Sequence, residues 1–354
     1  MQIRRWLIPI GAAVCALACA LLVVAYESDT LRDAAIHRGI YLGSAVSFRH
    51  LDEDSYRTVL AREFNQVEAE NEMKWGYLRP ARETFRFDAG DRLVEFASAH
   101  VMRVRGHVLL WHQYNPKWLA EGKFPPGELH ALLNEHITTV VQHYARKVYA
   151  WDVVNEAFDD NGQLRDSLWY NKPGIEVAGK YGYIEEAFRI AHEADPDALL
   201  FYNDYSAEVQ NPKSDAIYAM VQDFKKRRVP IHGVGFQCHL EAQGIDRGKF
   251  LANLKRFADL GVQLHITELD VRLPLQPGGR PAPDMLTQQA AIYRNVAEAC
   301  VKVKACTSIQ LWGFTDRYSW VPFAFKGTGA ALPYDADYKP KPAWEALKGA
   351  LEKH

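Results

Sequence analysis

Eight apolar runs, each short enough for a strand, alternate along the chain with amphipathic stretches, and this alternation constrains the fold more than any other feature. The runs are 41–48, 66–71, 103–111, 149–157, 199–205, 233–240, 263–271 and 308–315. Helix-patterned segments lie between them at 90–100, 128–146, 183–194, 216–228, 247–260 and 288–303. In the first of these, Leu93, Phe96 and Ala97 fall on one face. Strands that alternate with helices pair in parallel and are covered on both faces. Eight such units predict an α/β fold, a closed (β/α)8 TIM barrel making one domain. An open doubly wound sheet is the competing topology, but no glycine-rich phosphate loop follows the first run. A chain of 354 residues that is 48% apolar has the length and the core for one barrel. No Pro/Ser/Gly-rich linker divides it.

The first 26 residues differ from the rest. Arg4 and Arg5 precede an uncharged apolar run at 6–26, the layout of an export signal, and Val23, Val24 and Ala25 offer small residues for cleavage. The run has about 20 residues, enough to cross a bilayer as an uncleaved anchor. Pro9 and Gly11 shorten its helical part and favour cleavage. Either way the remainder is expected outside the cytoplasm, secreted or periplasmic, or tethered to the membrane through 6–26. Beyond this segment only Cys238, Cys300 and Cys306 occur, and no Cys/His spacing fits a zinc site. Cys300 and Cys306 are close enough to pair across a helix-to-strand connection, which an exported location permits. That leaves Cys238 as a small buried hydrophobe. A net charge of −2 gives no footprint for nucleic acid. The surplus lies in aromatics, nine Trp and seventeen Tyr, suited to stacking on apolar ring faces.

A barrel of this kind gathers its chemistry at the carboxyl ends of its strands. Those ends read Glu70-Asn71, His107 with Trp111-His112, Asn155-Glu156, Asn203-Asp204-Tyr205, Gln237 with His239, Glu268 with Asp270, and Trp312. Two carboxylates stand out, Glu156 after the fourth strand and Glu268 on the seventh, which face each other across a barrel. Cleaving a glycosidic bond needs such a pair, one to protonate the leaving oxygen and one to attack the anomeric carbon or activate water. Side chains alternate along a strand, so Asp270 shares the direction of Glu268. His107 and His112 read as a metal pair lack a third ligand at suitable spacing.

Seven motifs occur in order: AENEMKW (69–75), RGHVLLWH (105–112), WDVVNEAF (151–158), YNDY (202–205), GVGFQCHL (233–240), ITELDV (266–271) and LWGFTDRYSW (311–320). From residue 40 to the C-terminus the sequence resembles glycoside hydrolase family 10, the endo-1,4-β-xylanases. The resemblance implies one catalytic domain over 30–354 that cuts internal xylan linkages with retention, without cofactor or metal and as a monomer. Xylan and xylo-oligosaccharides are the partners it implies. It also implies Glu156 as acid/base and Glu268 as nucleophile, with carboxyl groups about 5 to 5.5 Å apart. His239 and Asp270 match the residues that keep the nucleophile ionised, and Glu156 is expected to stay protonated. Asn155 would bond the sugar 2-OH. Glu70, Asn71 and Lys74 match polar sugar contacts; His107, Trp111, Trp312 and Trp320 wall the reacting sugar; Tyr205 and Gln237 complete the substrate-binding set. A large Trp at that wall favours a pentose over a hexose, which carries an extra hydroxymethyl group.

The chain departs from the family pattern at Tyr114, where Gln is usual, at Ser206, where Asn is usual, and at Cys238, where a small polar residue is common. The first two bear on subsites flanking the cleavage point. Two rival readings are a barrel glycosidase acting on glucan or short xylo-oligosaccharides, and an inactive sugar-binding barrel. The second should lack one carboxylate, and this chain keeps both.

Overall fold

The computed structural model describes residues 29–352; the expected export segment at 1–26 lies outside them. The eight runs become β1 (Tyr41–Val46), β2 (Gln66–Ala69), β3 (Arg103–Trp111), β4 (Val148–Asn155), β5 (Leu199–Asp204), β6 (Gly233–Phe236), β8 (Gln263–Pro274) and β9 (Cys306–Leu311). Short β7 (His239–Glu241) and β10 (Thr328–Gly329) extend the rim. The eight strands pair in parallel from β1 through β6 to β8 and β9, and β9 returns to β1. The sheet is a closed barrel, and an open sheet is excluded.

The sixth run was expected unbroken over 233–240, but it divides at Gln237 and Cys238. Cys238 takes φ +59°, a left-handed conformation that ends the ladder, and its N–H donates to Glu208 Oε1 at 2.9 Å. The chain then resumes as β7, with His239 opposite Asp270 of β8. The second run stops at Ala69, so Glu70 and Asn71 stand on the loop that turns through the Lys74 N–H to Asn71 carbonyl bond at 2.9 Å. The first run stops at Val46, because Phe48 opens a 3-10 turn, Phe48–Asp52.

All six expected helices occur. Five start earlier than their apolar pattern indicates, and three of these have Pro in the first turn: Pro126–His143, Pro212–Arg227 and Pro283–Val301. Proline lacks the N–H that a helix start leaves unused and already holds the helical φ, so it fits the start better than it fits the interior. Helices Leu31–Arg38, Asp54–Glu63 and Pro342–Glu352 were not anticipated. They meet at Glu63, whose Oε2 accepts from the Leu31 N–H at 3.0 Å and the Trp344 indole at 3.1 Å. Cys300, at the end of helix Pro283–Val301, is disulfide-bonded to Cys306 at the start of β9. Cys238 is a buried free thiol.

Beneath the rim the barrel is filled with polar groups. Arg105 Nη2 binds Asp152 Oδ1, its Nη1 meets His265 Nδ1 at 2.7 Å, and its Nε lies 3.4 Å from Glu68 Oε2. All four side chains are buried, so each charge depends on its neighbours for stability. Burial, followed by the nearby Asp152, raises the Glu68 carboxyl well above its ordinary range. Together these groups form the floor under the site.

Candidate active site

The two glutamates line one cleft of about 880 Å³ at the carboxyl end of the barrel. Glu156 follows β4 directly and takes φ +56°, unusual for a residue with a side chain. Its backbone N–H donates to the Asn203 carbonyl at 2.9 Å, and the next N–H, of Ala157, donates to the Tyr202 hydroxyl at 3.0 Å. These anchors hold the left-handed turn. Three N–H donors meet the carboxyl group: Trp111 Nε1 on Oε2, and Asn155 Nδ2 and Gln237 Nε2 on Oε1, each at 3.0 Å.

Glu268 is fixed differently. His239 Nε2 lies 3.1 Å from its Oε2, and Asn203 Nδ2 donates to its Oε1 at 2.7 Å. Burial alone would raise this carboxyl. The His239 bond, the charges of His107 and His239 and the Asn203 bond outweigh burial and hold it below the ordinary glutamate value. His239 is the counterpart. Burial opposes its charge, but Asp270 and Glu268 overcome that and push it up to about 10. Its Nδ1 meets Asp270 Oδ2 at 2.9 Å, and the same oxygen accepts from Trp320 Nε1 at 2.8 Å. Asp270 therefore shares the direction of Glu268, as strand alternation requires.

The other expected residues line the same cleft: Glu70, Asn71, Lys74, His107, Trp111, Asn155, Tyr205, Gln237, Trp312 and Trp320. Several hold other protein groups as well. Gln237 and Asn155 bond Glu156, and Asn155 Oδ1 accepts from Asn203 at 2.9 Å and from Gln237 at 3.2 Å. Lys74 bonds Asn71 Oδ1 at 3.0 Å and lies 4.4 Å from the Tyr114 ring centre, 5.3 Å from that of Trp111 and 5.5 Å from that of Trp312. Burial lowers its pKa, with Glu268, Glu70 and Glu156 opposing. His107 does acquire acidic neighbours, Glu68 and Asp152, which lie far from it in sequence. Its Nδ1 lies 3.0 Å from Asp152 Oδ2, and the Arg105 guanidinium pairs with both acids.

Asn203 was named only as part of a strand end, yet it joins the two halves of the site. Its amide nitrogen bridges Asn155 and Glu268, and its oxygen accepts from Thr267 Oγ1 at 2.6 Å. Gly235 on β6 leaves the space: a Cβ there would lie 2.2 Å from Asn203 Oδ1. Tyr202 and Thr267 were also missed as supports. Their signal was position, since each stands next to a strand-end residue already singled out.

A parallel barrel with two buried carboxylates in an aromatic-walled cleft, one of them held ionised by a histidine, defines a glycosidase site. The chain belongs to glycosyl hydrolase family 10, whose model matches residues 30–350. It is 44% identical over 318 residues to endo-1,4-beta-xylanase B of Thermotoga neapolitana, covering 90% of this chain and 89% of that one. A β-1,4-xylanase of Dictyoglomus thermophilum is 40% identical, with 87% of each chain covered. The crystal structure of xylanase 10B from Thermotoga petrophila RKU-1 in complex with xylobiose superimposes with a TM-score of 0.87 at 44% identity, covering 92% of this chain and 98% of that chain.

Proposed function

We propose that this chain is an exported endo-1,4-β-xylanase in which Glu268 is the nucleophile and Glu156 the acid/base. Family membership and similarity to named xylanases support hydrolysis of internal β-1,4-xylosidic bonds with retention. Glu268 attacks the anomeric carbon while Glu156 gives its proton to the departing sugar oxygen, and the glycosidic bond breaks. Water then attacks the glycosyl-enzyme, Glu156 takes its proton, and Glu268 leaves. The observation that carries the assignment is the hold on Glu268, whose two oxygens meet His239 and Asn203 and whose pKa is lowered despite burial. A nucleophile must be ionised before it can attack. Asn155, Glu70, Asn71, Lys74, His107, Trp111, Trp312 and Trp320 bind the sugars on the glycone side, with Tyr205 on the aglycone side and Gln237 beside Glu156.

Export is supported by Arg4 and Arg5 before the apolar run at 6–26, and by the Cys300–Cys306 disulfide, which suits an oxidising compartment. The test is Glu268→Ala on xylan: turnover collapses by several orders of magnitude while xylo-oligosaccharide binding persists. Unchanged hydrolysis would remove the nucleophile assignment, and release of xylose alone from chain ends would remove the endo reading.

A further inference from the structure

Tyr205, at the end of β5, is gripped at both its ring and its hydroxyl. Lys213 Nζ sits 3.4 Å from the ring centre, and its side chain is almost wholly buried. The same ammonium bonds the Tyr205 carbonyl at 3.2 Å and pairs with Asp204 Oδ1 and Asp160 Oδ1, each at 3.1 Å. It therefore joins β5 to the loop that follows β4. Arg165 on that loop lines the cleft and donates Nη2 to the Tyr205 hydroxyl. Arg165 has no carboxylate partner among the described residues, so its one directed contact is with this tyrosine. Asp204 is in turn tied by the Tyr202 hydroxyl at 2.6 Å, and Tyr202 also holds the N–H that follows Glu156.

We infer that Lys213 and Arg165 are positioning residues for the aglycone side of the cleft: they fix the plane of Tyr205 so that it meets a departing sugar at one angle. The inference rests on the proposed xylanase reading. A cation on one ring face occupies that face and strengthens the ring's hold in a partly dry site. The face-on ammonium opposes rotation of the ring plane about Cβ–Cγ, and the second cation, at the hydroxyl, stops the ring from swinging about Cα–Cβ. A tyrosine fixed in this way loses little freedom when a sugar stacks on it, so more of the contact appears as affinity.

Two substrates separate this role from general support. Xylobiosyl fluoride has a single atom as leaving group and uses only the glycone side, whereas xylotetraose uses both. For Arg165→Met, kcat/KM on xylotetraose falls about tenfold, mainly through KM, while that on xylobiosyl fluoride stays within about twofold. Lys213→Met leaves Asp204 buried without its partner and can fail to fold, so Lys213→Met is also made with Asp204→Asn to remove both charges. This pair shows the same split, and Lys213→Arg restores most of the xylotetraose rate because arginine also stacks on rings and pairs with carboxylates. Equal losses on both substrates, or no loss on either, overturn the inference. Failure of the unaltered protein to cleave either substrate instead removes the xylanase reading beneath it.

Discussion

Replacing His239 with Gln isolates a charge while keeping an N–H donor within reach of Glu268. In the native protein His239 Nε2 lies 3.1 Å from one Glu268 oxygen, and Asp270 lies 2.9 Å from the other ring nitrogen. An opposite charge this close moves a carboxyl by about 1–3 pH units. The acid limb of kcat/KM, which reports the free enzyme's essential ionised group, should therefore rise by at least about one pH unit in His239→Gln. At pH values below both limbs the variant is then slower by about tenfold or more from protonation alone. Stability carries a second signature. His239 is raised from 6.5 to about 10, so its contribution is complete below pH 6.5 and is lost as pH climbs through 10. At roughly 1.4 kcal/mol per pH unit this amounts to something on the order of 5 kcal/mol. Denaturant unfolding of both proteins from pH 6 to pH 10 should show a gap that narrows as pH rises. Kinetics on a soluble xylo-oligosaccharide across pH 3 to 8 give the limb. An unmoved acid limb together with a gap constant in pH would mean that the His239 charge does not hold Glu268 ionised.

Gly235→Ala drives a methyl group to within 2.2 Å of Asn203 Oδ1 and 2.7 Å of Thr267 Cγ2. It should cost about 1–3 kcal/mol of stability and lower kcat at least about tenfold by displacing the amide that holds Glu268, as read by denaturant midpoint and initial rate. Ser206 is exposed and takes φ +54°, where asparagine is tolerated better. Ser206→Asn should stabilise by about 0.5 kcal/mol, a rise in Tm of about 1 °C; a fall in Tm would contradict the backbone account of this position.

The barrel was legible because alternating strand and helix periods are local, and each run needed only its own residues to declare itself. What the pattern did not give was the ends. Pro126, Pro212 and Pro283 start helices before any apolar face is apparent, and Cys238 breaks a strand through a dihedral angle that composition does not encode. In the site, the residues singled out by motif line one cleft, except Asp270, which stands behind His239. Several nevertheless bond protein groups in ways their motifs did not indicate, as Gln237 does with Glu156. Asn203 was hidden for a physical reason: its importance lies in contacts to Asn155 and Glu268, 48 and 65 positions away. Only assembly of the sheet brings them together: Asn155 pairs opposite Asn203 across β4 and β5, and Glu268 lies on β8, one strand beyond β6. Lys213 and Arg165 fall in none of the seven motifs, and their bearing on Tyr205 depends on the first turn of helix Pro212–Arg227 meeting the loop after β4.

Trapping the reaction midway shows which residue is the nucleophile. A 2-deoxy-2-fluoro xylobioside with a good leaving group should label the protein once, and mass spectrometry of the digested enzyme should place the added 2-deoxy-2-fluoroxylobiosyl mass on Glu268. The first product from unmodified substrate should appear as the β-anomer by proton NMR. A label on any other residue, or an α-anomer formed first, would contradict the account.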